Sequence, residues 1–377
     1  MASARENEYR PDIVFPPGDT IAGMLDDRGW SKNDFADRLQ KTNKFVSDLL
    51  AGRAPISPET AFDLERIFGV DAAFWVNLEQ NYRIHLLRQK NTAELETLGA
   101  WVAQFPIRQM VKLRWIEKFK AVASQAEELL KFFGVSSLEA WNDLWEKDRI
   151  AVALRSSRKF TTNPPSLAAW LRRGEQAAEH ITCAPYNERQ FRKNVHELRA
   201  LTRDANLSEC VKRMRRLCAE AGVLVVFVPE IPGTRASGAA WWHNPEKAVI
   251  QLSLRHKTHD HLWFSFFHEA KHILDHPKKM VFVSGDEIDG DSGRMELERE
   301  ADSFAADLLI PPKAFKSFLA KGRPTLDAIS AFATDVDTAP GIVVGRLQHE
   351  GVIPFKQGNG LKVRLDWEKL AMPPEVP

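Results

Sequence analysis

Residues 260–277 read DHLWFSFFHEAKHILDHP. On a helix, residues four apart share one face, so this stretch brings His268 and His272 together with Glu269 beside them. Two imidazoles placed in this way can meet one metal ion at about 2.0–2.1 Å. The opposite side carries Trp263, Phe266, Phe267, Ala270, Ile273 and Leu274. Such a helix needs a core behind it, with the histidines on its other face.

A third ligand is required. His276 continues the four-residue spacing, but eight residues of helix hold it about 12 Å from His268, and Pro277 ends the helix. A motif with a third histidine needs a glycine turn after the second, and here that position is filled by ILDH. A better source is MELEREADSFAADLLIPP, residues 295–312, where Glu298 and Asp302 lie four apart on one face. Glu300 competes with Glu298, because both sit beside the stripe of Leu297, Ala301, Phe304, Ala305 and Leu308 and the helical wheel does not choose. Two histidines and a glutamate, with Asp302 orienting one imidazole, make a zinc set with an outer shell of support. Glu269 is placed to act as general base on a water at the open coordination position, the arrangement of zinc peptidases.

The chain of 377 residues is long enough for two or three domains. Between Thr20 and about Asn81 the pattern is five short helices, with Ser31, Thr42 and Ser57 as N-caps, Pro58 at a first helical position, and Gly29, Gly52 and Gly69 at helix ends. A second helical region runs from 83 to 220, broken at Pro106, at 163–165 and at Pro185, and carries no chemical motif. VLVVFVPE, ASGAAWWH and KAVIQLSL then read as three strands of a small sheet. After the histidines come a loop over 284–293, the glutamate-bearing helix, a helical pair and a short tail at LKVRLDW. The strands at 237–242 and 248–253 are candidates for an edge on which a peptide adds.

Within SKNDFADRLQKTNKFVSDLLAGR, two amphipathic helices flank a tight turn. Phe35, Ala36, Leu39, Phe45, Val46, Leu49 and Leu50 form their shared core, and Thr42 opens a second helix whose Asn43, Lys44 and Ser47 face outward. That is a helix-turn-helix, in which Thr42, Asn43, Lys44 and Ser47 are the candidate DNA-binding residues. The net charge of +1 supplies no global basic field, so DNA contact rests on this local surface. Cys183, Cys210 and Cys218 form no CxxC pair, which disfavours a disulfide framework or a thiolate zinc cluster. No segment has the apolar run of a signal peptide or membrane helix, so the expected location is the cytoplasm.

FSFFHEAKHIL followed by ELEREADSFAADLLIPP resembles the ImmA/IrrE family of zinc metallopeptidases. That family's "ExxA(N/D)xFAxxLLxP" pattern implies Glu298 as the third ligand, with Asp302 at the Asn/Asp position. VFVPEIPGTRASGAAWWHNPEKAVIQLSLR resembles the family's sheet; Ala270-Lys271 stands where many members have Leu-Gly. Residues 17–82 are similar to HigA-type XRE helix-turn-helix antitoxins and repressors, although Gln40-Lys41 and Asp48 depart from their pattern. The resemblance implies a mainly α chain: an all-α helix-turn-helix bundle over 1–88, a helical connector over 89–205, and a zincin-like domain with a small sheet and an HExxH helix over 206–377. It also implies a zinc-dependent endopeptidase acting on a repressor or other regulatory protein, with duplex DNA at an operator as a second partner. A homodimer suits palindromic half-sites, and a toxin partner is left open. The rival expectation is a non-proteolytic antitoxin or sensor whose zinc domain is structural or ligand-sensing.

Overall fold

Polar caps set where four of the five N-terminal helices begin. In this computed structural model, which describes residues 15–150, 163–204, 206–278, 280–285 and 292–367, the order is α1 (Pro17–Arg28), α2 (Lys32–Leu39), α3 (Asn43–Leu50), α4 (Pro58–Phe68) and α5 (Ala72–Glu96). Ser31 and Asp34 close a capping box on α2, while the Thr42 and Ser57 hydroxyls accept the Phe45 and Thr60 N–H groups at 3.2 Å. The turn after α2 puts Gln40 at φ 53°, a left-handed conformation that glycine adopts more readily. Ile21, Phe35, Val46, Leu64 and Trp75 fill the core these helices share. The fifth helix does not stop near Asn81. It runs to Glu96, through the boundary expected at 88, because residues 82–96 contain neither glycine nor proline.

The chain divides into two compact units. One comprises Met1–Gly99 with Ala121–Ser124, the other Ala100–Lys120 and Gln125–Pro377. In the second unit, the strands β1 (Val223–Phe227), β2 (Ala236–Asn244), β3 (Lys247–Leu252) and β4 (Phe282–Gly285) form a sheet of order β1-β3-β2-β4. β1 runs parallel to β3, and β2 is antiparallel to both β3 and β4. The edge expected at 237–242 and 248–253 is therefore corrected: both strands are internal. β4 is a strand that the sequence pattern does not announce, and its last two residues fall inside the expected loop, although Phe282 and Val283 suit a strand.

Helix Pro164–Glu179 packs on this sheet, its Trp170 indole donating to the Val228 carbonyl at 3.0 Å and its own carbonyl accepting from Gln251 at 2.8 Å. Trp263, Phe266, Phe267 and Ala270, all fully buried, anchor the histidine-bearing helix His259–Asp275 in the main core. Helix Ser292–Leu309 lies against it through Ala301 and Ala305, whose small side chains permit close approach. Three helices follow rather than a pair: Pro312–Leu319, Leu326–Asp335 and Pro340–His349. The tail returns to the start of the histidine helix, where Lys362 meets Asp260 at 2.6 Å and the Val363 N–H donates to His259 Nδ1 at 3.1 Å.

Candidate metal centre

His268 and His272 are 2% and 1% exposed, and Glu298 is 2% exposed. The two Nε2 atoms lie 3.0 Å apart, and the Oε2 of Glu298 is 3.1 Å from one and 3.5 Å from the other. Ligands at about 2.0–2.1 Å around a tetrahedral zinc lie about 3.3–3.4 Å from one another. The triangle of donor atoms thus has the dimensions of one face of such a site. Oε1 of Glu298 is buried and unpartnered, a cost that a cation beside it would offset. Two imidazole nitrogens and a carboxylate oxygen are also the donor types zinc takes. Among the described residues, these three form the one group of histidine, cysteine and acidic side chains close enough to hold an ion.

Glu300, the competitor from the sequence, turns elsewhere. Its Oε2 lies 3.4 Å from Nε2 of His276. Asp302 accepts from Nδ1 of His268 at 2.9 Å, which directs the Nε2 lone pair of that ring inward. His256, His259 and His261 lie outside the triangle: His259 receives the tail N–H, and His256 stacks on His261 at 4.0 Å.

Charge in the triangle is unevenly placed. Burial works against a proton on His268, yet the hydrogen bonds to Asp302 and Glu298 and the nearby Glu269 charge raise its pKa to about 10. In His272 burial dominates; the Glu298 bond opposes it and the His268 charge reinforces it, giving about 3. Burial would raise Glu298, but its bonds to both histidines and their charges hold it well below the usual carboxylate range.

Glu269 is fully buried, and burial lifts it to about 8 despite the His268 charge and the bond from Ser284. Ser284 Oγ donates to its Oε1 at 2.5 Å, while Oε2 has no partner. A Cβ at Gly238 would fall 2.5 Å from Oε1, so only glycine leaves room for the carboxylate there. Phe282 stacks on His272 at 3.9 Å. Sequence reasoning missed Gly238, Phe282 and Ser284, which reach the site through the pairing of β2 with β4; the apolar run before Ser284 was the available signal.

On α3, Asn43, Lys44 and Ser47 are exposed, as is the capping Thr42. Val46 and Leu49 are buried, and Phe45 and Leu50 partly so. Asp48 pairs with Arg53 at 2.8 Å, which offsets its charge on that face.

Residues 22–75 match the helix-turn-helix family, and residues 218–336 match the family described as IrrE N-terminal-like domain, of the M78 peptidases. An uncharacterized HTH-type transcriptional regulator of Escherichia coli (strain K12), YddM, is 31% identical over 88 residues, which cover 23% of this chain and 92% of the relative. The chain belongs to the HTH-type transcriptional regulators. The matched residues 218–336 of the IrrE N-terminal-like domain contain the triangle and Glu269. An addiction module antidote protein of the HigA family from Coxiella burnetii is similar to the helix-turn-helix part, at 30% identity over 22% of this chain and 91% of that one, with a TM-score of 0.21. Among the described residues, no helix is long and apolar enough to cross a membrane.

Proposed function

We propose that this regulator is a zinc-dependent endopeptidase that cuts a repressor or another regulatory protein. The convergence of His268, His272 and Glu298 beside a buried, half-unpartnered Glu269 carries the reading. His268, His272 and Glu298 would hold the zinc, which when bound would supply a Lewis acid for a peptide carbonyl. Asp302 keeps His268 in the ligating tautomer. Glu269 takes a proton from the attacking water at its free Oε2 and passes it to the departing amine, while Ser284 holds the other oxygen still.

For the N-terminal domain we propose operator binding through Thr42, Asn43, Lys44 and Ser47, in a homodimer whose two recognition helices match palindromic half-sites. We assign the work to three modules, a helix-turn-helix domain that includes all of α5, a helical connector and a peptidase domain, acting in the cytoplasm.

Glu269→Gln tests the peptidase. The change is nearly isosteric and spares the histidines, so zinc content and melting temperature stay the same while the cleavage rate falls about 10²–10⁴-fold. Target half-life and promoter output are measured with wild type, Glu269→Gln and His268→Ala. If Glu269→Gln matches wild type in both while His268→Ala fails, the zinc domain is a sensor or a partner-binding module.

A further inference from the structure

His276 stands too far along the chain to share an ion with His268, yet it is 6% exposed and lies against the site. It follows the last residue of the histidine helix in an extended conformation, with its N–H still on the His272 carbonyl at 3.3 Å. Its ring folds back so that the two Nδ1 atoms, of His272 and His276, stand 2.6 Å apart. At the far side, Nε2 of His276 lies 3.4 Å from Glu300 Oε2. Phe282 contacts both rings, stacked on His272 at 3.9 Å and tilted against His276 at 5.5 Å.

We infer that His276 and Glu300 are positioning residues that fix His272 for the metal through a one-way chain of hydrogen bonds. The inference rests on the zinc reading above. A ligating Nε2 on His272 needs its lone pair, so the proton of that ring sits on Nδ1 and is donated to His276. Nδ1 of His276 must then be an acceptor, which places its own proton on Nε2, directed at Glu300. A carboxylate only accepts, so the order of donors cannot reverse. One helix therefore serves both ligands: Asp302 orients His268 directly, and Glu300 orients His272 through His276. The outer partners of a metal ligand typically contribute 10–100-fold in affinity.

The test is zinc affinity of the full-length chain, measured by competition with a chromophoric chelator. His276→Leu keeps the bulk and removes the acceptor, so zinc affinity falls about 10–100-fold. His276→Gln offers an acceptor and a donor in the same sense and restores affinity to within a few-fold of wild type. Glu300→Ala lowers it, and Glu300→Gln, which still accepts, lowers it less. Should His276→Leu not fold, the contrast between His276→Gln and Glu300→Ala decides alone: no difference between Glu300→Ala and wild type overturns the relay. In zinc-loaded wild type, imidazole ¹⁵N shifts should place the His276 proton on Nε2; a proton on Nδ1 overturns it. A wild-type chain that binds no zinc instead overturns the metal reading itself, and no step of the test depends on proteolysis.

Discussion

Glu298 is enclosed between two imidazoles, whereas the Glu300 side chain stays 47% exposed. The first is a carboxylate whose burial makes sense only with cationic company; the second can be hydrated. After loading with excess zinc and desalting, wild type should carry close to one zinc per chain. Glu298→Ala and His268→Ala should carry almost none, and Glu300→Ala should stay near one, as measured by elemental analysis. If Glu300→Ala loses the ion while Glu298→Ala keeps it, the assignment of the third ligand is reversed. Exposure separates these residues where helical position did not, because the wheel records only the direction from an axis and both glutamates flank the same apolar stripe.

Among the elements, α3 presents the clearest chemical surface, with Asn43, Lys44 and Ser47 exposed behind the Thr42 cap. Replacing both Asn43 and Lys44 by alanine should cost roughly 1–3 kcal/mol of sequence discrimination for each base edge that either side chain reads. Binding-site selection with the full-length protein, followed by titration of the selected duplex, reads this out. If folded protein at low salt enriches no sequence, α3 serves a protein partner instead. Local signals made this element legible, since Thr42 caps it and Val46 and Leu49 define its inner face. The same holds for the histidine helix, whose spacing is contained in five residues. Strand order was not legible in that way. Whether Ala236–Asn244 is internal depends on Phe282–Gly285, some forty residues downstream, and no short-range pattern encodes that pairing. Ser284 and Gly238 meet Glu269 only through that register, and α5 extends beyond its expected end because nothing in 82–96 stops it.

At the scale of the whole molecule, each unit has its own hydrophobic core. One is centred on Phe35, Leu64 and Trp75, the other on Trp263, Phe266 and Val343. A ligand that binds only the folded second unit stabilises that unit, by about 2.7 kcal/mol when free zinc is at one hundred times its dissociation constant. Calorimetry with and without a chelator should show one transition moving to lower temperature and the other unchanged. Two transitions moving together would mean that the units unfold as one. The first unit holds a further reserve, in the turn between α2 and α3. Gln40 at φ 53° sets its Cβ against the following carbonyl, a cost on the order of 1 kcal/mol. Since about 1 kcal/mol changes a folded-to-unfolded ratio roughly fivefold, relief of that strain would change the small unfolded population of the first unit about fivefold, leaving the outward face of α3 as it is.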